Sequence, residues 1–80
     1  MKNNQTIKLN GKVIKLSESV KIYLNIIGAT IDSFNKKFMD PYDEEQYIIG
    51  FVNPVTNYTL GISLDGNSYT WFDKEHYNVG

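Results

Sequence analysis

Residues 17–39, SESVKIYLNIIGATIDSFNKKFM, support two readings, and the fold turns on which one holds. Val20, Leu24, Ile27, Ile31, Phe34 and Phe38 recur at spacings of four and three, the stripe of one helix face. Ser17 or Ser19 suits an N-cap, Glu18 the first turn, and Lys36 and Lys37 the last. Asp40-Pro41 would end such a helix. Yet Val20, Ile22, Leu24 and Ile26 also alternate as a strand, and Ile27, Ala29 and Ile31 continue as another beyond the Asn25–Gly28 region. Propensity separates the readings. The segment is rich in β-branched residues, and a helix would place Asn25 and Gly28 inside it, each costing up to roughly 0.5–1 kcal/mol relative to Ala. It would also leave Ile22 and Ile26 facing water. The segment is therefore expected to form two strands in an all-β domain. The alternative is an α+β domain with an N-terminal hairpin, a helix over 18–39 and a C-terminal three-stranded meander.

On the C-terminal side the signals are clearer. MDPYDEEQ, residues 39–46, reads as an acidic loop, and Tyr47 to Val52 as a strand. NPVTN then forms a turn with Pro54 in it. Tyr58 to Phe72, YTLGISLDGNSYTWF, is a hairpin, because Asp-Gly between alternating apolar residues suits a two-residue type I′ turn. That turn pairs Leu64 with Asn67, Ser63 with Ser68, Ile62 with Tyr69 and Leu60 with Trp71. Leu60, Ile62, Leu64, Tyr69 and Trp71 share one face; Thr59, Gly61, Ser63, Ser68, Thr70 and Phe72 share the other. Pairing Val52 with Tyr58 adds Ile48, Gly50 and Val52 to the first face and sets Gly50 under the Trp71 ring. Tyr47, Ile49, Phe51 and Phe72 fall on the second. DKEHYNVG, residues 73–80, reads as a short helical turn followed by a closing strand through Tyr77 and Val79.

On the N-terminal side, TIKL-NG-KVIKL is a second hairpin, with Asn10-Gly11 at its turn and Ile7 opposite Ile14. Ile7, Leu9, Ile14 and Leu16 then share a face. Residues 1–5 are polar and expected to fray.

The whole chain, residues 1–80, reads as one domain. It has no cysteine, so no disulfide or thiolate metal site is available. No segment has the make-up of a secretory leader or a membrane span, so a soluble cytoplasmic protein is expected. Nine Asn, six Tyr and eight Lys with no Arg suggest an AT-rich coding sequence, such as that of a low-GC bacterium or a phage growing in one. Residues 1–39 carry a formal +5 and residues 40–80 a formal −6, within a net charge of −1. The missing Arg weighs against bidentate recognition of phosphates and guanines.

Taken as strands, GKVIKL, IGATIDSF and YIIGF, with the LDGN turn and the ending YTWFDKEHYNV, resemble the SH3-like barrel class, in particular the small KOW-type barrels. The likeness implies a barrel of five to six short strands that binds RNA, protein or peptide. The acidic aromatic motif and paired tryptophans of peptide-binding SH3 domains are missing, so no ligand residues carry over.

No catalytic constellation stands out, and the chain is read as a non-enzyme without cofactor or metal. His76 is the only histidine, and the Ser and Thr residues lack a nucleophile-elbow context. Asp40, Asp43, Glu44 and Glu45 lack the alternating ligands and Gly of a calcium loop. The two Asn-x-Thr sequons, at Asn4 and Asn57, carry no weight without a secretion signal. The expected function is a small protein-binding module, phage-encoded, acting as an inhibitor or adaptor on a host protein. Its expected contact residues are Tyr42, Asp43, Glu44, Glu45, Tyr47, Phe51 and Phe72. The alternative is a KOW-like nucleic-acid binder using Lys8, Lys12, Lys15 and Lys21 with tyrosine stacking.

Overall fold

In the computed structural model, which describes residues 6–80, the first two strands are β1 (Thr6–Leu9) and β2 (Lys12–Lys15). They form the expected hairpin, with Ile7 opposite Ile14 and Leu9 opposite Lys12. Asn10 and Gly11 both have positive φ, 51° and 80°, as a type I′ turn requires. The polar residues expected to fray, 1–5, lie outside the described residues.

Neither reading of residues 17–39 holds in full. Residues Glu18–Ile27 are a helix, α1, so the two-strand expectation fails there. Yet α1 stops well short of 39. Ser17 caps its start, its hydroxyl accepting from the Val20 N–H at 3.4 Å. Gly28 ends it at φ 76°, with the Ala29 N–H bonded back to the Leu24 carbonyl. A 3-10 turn over Ile31–Ser33 follows, then strand β3 (Lys36–Met39). The helical stripe is real only up to Gly28, because no L-residue side chain has to fit the left-handed turn there. Val20 and Leu24 are buried, while Ile22 and Ile26 do face water.

Strands β3, β4 (Gln46–Val52), β5 (Thr59–Ser63) and β6 (Tyr69–Phe72) form one antiparallel meander in the order β3-β4-β5-β6. The domain is thus mainly β: two antiparallel sheets and one short helix. The β5–β6 register is as expected, Ile62 with Tyr69 and Leu60 with Trp71. The turn is not. Asp65 keeps a negative φ, and only Gly66 is left-handed, at 77°. Leu64 to Asn67 form a four-residue loop, closed by the Gly66 N–H on the Ser63 carbonyl at 2.9 Å and by the Asp65 carboxylate on the Ser63 hydroxyl and Asn67 N–H. Those bonds hold the Asp65 carboxyl below its usual range, the Ser63 hydroxyl contributing most.

The β4–β5 register begins as expected, Ile48 opposite Ile62 and Ile49 opposite Gly61. It then shifts, so that Val52 faces Thr59 rather than Tyr58. This bulge spans Gly50 and Phe51. What lies closest over Gly50 is not the Trp71 ring but the backbone of Ser33 and Phe34, and a Cβ on Gly50 would overlap the Ser33 carbonyl.

Both faces of the meander are covered. On one, Ile48, Leu60 and Ile62 join Ile7, Ile14, Leu16, Val20, Leu24 and Phe34 in a single core. Trp71 lies at its margin, its indole N–H donating to the Tyr23 hydroxyl at 2.8 Å. Tyr23 in turn stacks on Tyr69, with centroids 3.9 Å apart. On the other face Phe72 is buried edge-on between Phe38 and Tyr47. Neighbouring strands lie about 4.8 Å apart, so β3 and β6 in a flat sheet would be separated by about 14 Å. Phe38 and Phe72 nevertheless touch at 4.9 Å between centroids. The sheet therefore curls around this second face.

Candidate functional site

The acidic loop between β3 and β4 is built on one buried carboxylate. Asp40 is fully buried, and its Oδ1 accepts the Tyr42 N–H at 2.9 Å. Its backbone N–H donates to the Glu45 carbonyl and its carbonyl accepts the Glu44 N–H, which closes the loop. Pro41 and a left-handed Glu44, φ 58°, complete the turn. Fixed in this way, the backbone presents Tyr42, Asp43, Glu44 and Glu45 to solvent.

The C-terminal segment folds against this loop. Asp73 Oδ1 accepts the N–H groups of Glu75 and Tyr77, and the Asp73 N–H donates to the Tyr77 carbonyl. His76 is left-handed at φ 71°, with its ring edge-on to Phe38. Asn78 forms one isolated antiparallel bridge to Phe72, in place of the closing strand expected through Tyr77 and Val79. The Asn78 amide donates to Asp40 Oδ2 at 3.2 Å, and its oxygen accepts from the Thr70 hydroxyl at 2.9 Å.

These two turns bring Tyr42 and Tyr77 face to face, 5.2 Å between centroids and 17° between planes. Both rings are exposed, at 65% and 46%. The neighbouring Tyr77 hydroxyl chiefly holds the Tyr42 phenol above its ordinary range; some burial and the charges of Asp40 and Asp73 push the same way. The result is a stacked, solvent-facing aromatic pair set among carboxylates.

Of the contact residues expected from sequence, Tyr42, Asp43, Glu44 and Glu45 come together on this surface. The other three do not join them. Tyr47 is buried, its hydroxyl donating to Glu45 Oε2 at 2.6 Å; burial first, then this bond, push its phenol well above the ordinary range. Phe72 is 2% exposed. Phe51 is turned to the opposite face by the bulge and packs edge-on to Trp71 at 6.2 Å. The face of the meander that carries Tyr47 and Phe72 is therefore closed, because the curl of the sheet and the C-terminal segment cover it. Sequence reasoning missed Tyr77 and Asp73 as members of the surface. The only local signal was an Asp positioned to bond N–H groups two and four residues on.

The lysines of the nucleic-acid alternative are dispersed. Lys8 and Lys15 share the solvent side of the hairpin, Lys12 sits at its tip on the other side, and Lys21 on α1 pairs with Glu18 at 3.4 Å. Among the described residues no cluster of His, Asp and Glu is gathered for a metal ion, and no helix is long and apolar enough to cross a membrane. No protein-family model matches the chain, nor does any curated protein or solved structure.

Proposed function

We propose that this chain is a non-enzymatic protein-binding module, an adaptor or inhibitor that docks through Tyr42, Tyr77 and the acidic loop Asp43, Glu44 and Glu45. The observation that supports this is the exposed Tyr42–Tyr77 stack, held in place from below by buried Asp40. Tyrosine offers large contact area at low entropic cost and is enriched in interfaces. A backbone already fixed by hydrogen bonds lowers the ordering cost of binding. Surrounding carboxylates favour a partner surface that carries Lys or Arg. The small-barrel likeness belongs to the same proposal, and the curl that brings Asp40 to Asn78 supports it.

The test compares immobilised wild type with a Tyr42→Ala/Tyr77→Ala double variant and with Asp43→Lys/Glu44→Lys. All four residues are exposed, so the variants should keep the wild-type circular dichroism. A partner held by wild type, released by added salt and absent from both variants is the expected result. Identical captured proteins on all three baits would defeat the proposal. Saturable oligonucleotide binding at low salt that weakens in Lys8→Gln and Lys15→Gln would favour the nucleic-acid alternative instead.

A further inference from the structure

A cleft apart from the Tyr42–Tyr77 surface lies between the β1–β2 hairpin and strand β3. Strand β3 pairs only with β4, so among the described residues its other edge has no ladder partner. Such an edge offers backbone donors and acceptors to any extended chain. Lysines on an edge strand commonly guard it, and that alone would account for Lys36 and Lys37. It does not account for the cleft beside them. The tip of the β1–β2 hairpin overhangs β3 and the Leu64 turn, leaving a cavity of about 170 Å³. Leu9, Ile14 and Leu64 give it apolar surface, Asn10 and the Val13 segment complete the wall, and Lys12 from the hairpin and Lys37 from β3 border it. Among the described residues no carboxylate lines the cleft and neither lysine is in an ion pair; the one such pair there is Lys21–Glu18.

Two unpaired like charges beside one small, partly apolar cleft favour an anionic occupant with an apolar body. The volume corresponds to about six water molecules, well under the roughly 300 Å³ at which sites for drug-sized ligands begin. It suits one aliphatic side chain. A carboxylate next to a single aliphatic side chain, on a chain that can add to a strand edge, is the end of a polypeptide. We propose that this cleft captures the C-terminus of a partner protein. The partner's last residues extend β3 as a further strand, the terminal aliphatic side chain enters the cleft, and the terminal carboxylate takes hydrogen bonds from the ammonium groups of Lys12 and Lys37.

The test is a titration of the full, isotope-labelled chain, followed by amide chemical shifts. The probes are acetyl-Ser-Thr-Val-Leu with a free carboxylate, the same peptide amidated, and 4-methylpentanoate. The free-carboxylate peptide should give saturable shifts confined to residues 9–14, 36–39 and 64. Amidation should weaken it about tenfold, the scale of one lost charge-assisted hydrogen bond. Lys12→Gln and Lys37→Gln, both at exposed positions, should each weaken it while leaving the rest of the spectrum in place. Equal binding of the amidated peptide, saturable shifts elsewhere, or none with any probe would overturn the proposal. So would 4-methylpentanoate binding as tightly as the peptide, since the occupant would then be a free acid and the strand edge would play no part.

Discussion

At Gly66 the chain has no room for a methyl group. Its φ of 77° is left-handed, and a Cβ there would overlap the Lys15 carbonyl, while its own carbonyl accepts the Ser17 N–H at 2.8 Å. The residue thus fastens the β5–β6 turn to the joint between hairpin and helix. Gly28 has the same conformation, φ 76°, but a Cβ there would meet no atom within 4 Å. The pair separates strain from crowding. Gly28→Ala should cost about 1 kcal/mol, for backbone conformation alone. Gly66→Ala should cost roughly 2–4 kcal/mol, since overpacking adds to the same strain. Urea denaturation measures both, and equal losses would show that the Lys15 contact does not matter. Tyr47 carries a pH signature of its own. Its phenol is raised above the ordinary value of about 10 when folded, so above that pH the unfolded chain releases a proton that the folded chain retains. The corresponding stability is complete below about pH 10 and is lost as pH rises further. Melting temperatures measured from pH 8 to 11 should fall more steeply for wild type than for Tyr47→Phe. Parallel curves would mean that the Tyr47 phenol is not shifted.

Helix α1 shows what local sequence can and cannot decide. Ser17 and Gly28 frame it, and both are visible in the sequence as a cap and a break. The hydrophobic stripe misleads by running on across Gly28 to Phe38, and the β-branched residues mislead because packing outweighs them. Propensity penalties of a few tenths of a kcal/mol per residue are small beside the burial of Val20 and Leu24, each worth about 2 kcal/mol. Ile22 and Ile26 carry the mark of that conflict: good strand formers left on the wet side of a helix, at 53% and 73% exposure. Leu24→Ala should therefore cost about 2–4 kcal/mol, and Ile26→Lys should change stability by less than about 0.5 kcal/mol. In a strand with Leu24 and Ile26 on one buried face, both would be costly, so thermal melts of the two variants distinguish the arrangements. The hairpins are legible because their information is local. Asn10-Gly11 fixes its own turn, and the alternation of Leu60, Ile62, Tyr69 and Trp71 fixes the β5–β6 register even though the Asp65-Gly66 turn is wider than a two-residue one. The bulge at Gly50 and Phe51 is not legible, because it answers to the backbone of Ser33 and Phe34, some seventeen residues away in sequence.

Across the whole molecule, the acidic loop is readable as four carboxylates in six residues, but their different fates are not. Asp40 goes inside and the others stay out, and only the arrival of the C-terminal segment explains why. Asp40 Oδ1 holds the loop through the Tyr42 N–H, and Oδ2 takes the Asn78 amide, whose oxygen is occupied by the Thr70 hydroxyl. One side chain thus links the end of β3 to the Asn78–Phe72 bridge on β6, across a sheet whose ladder does not join those two edges. Asp40→Ala would leave the Tyr42 N–H and the Asn78 amide without their acceptor in a part-buried setting. A loss of roughly 1–3 kcal/mol is expected. Asn78→Ala strands Asp40 Oδ2 and the Thr70 hydroxyl instead, at a similar cost. If the two residues act as one link, the double variant removes the same interaction once, and its loss should fall short of the summed single losses by about 1 kcal/mol. Urea denaturation of the four proteins gives this coupling directly. Strictly additive losses would mean that the two edges of the sheet are held independently, and that the Tyr42–Tyr77 surface above them is not fixed by Asp40.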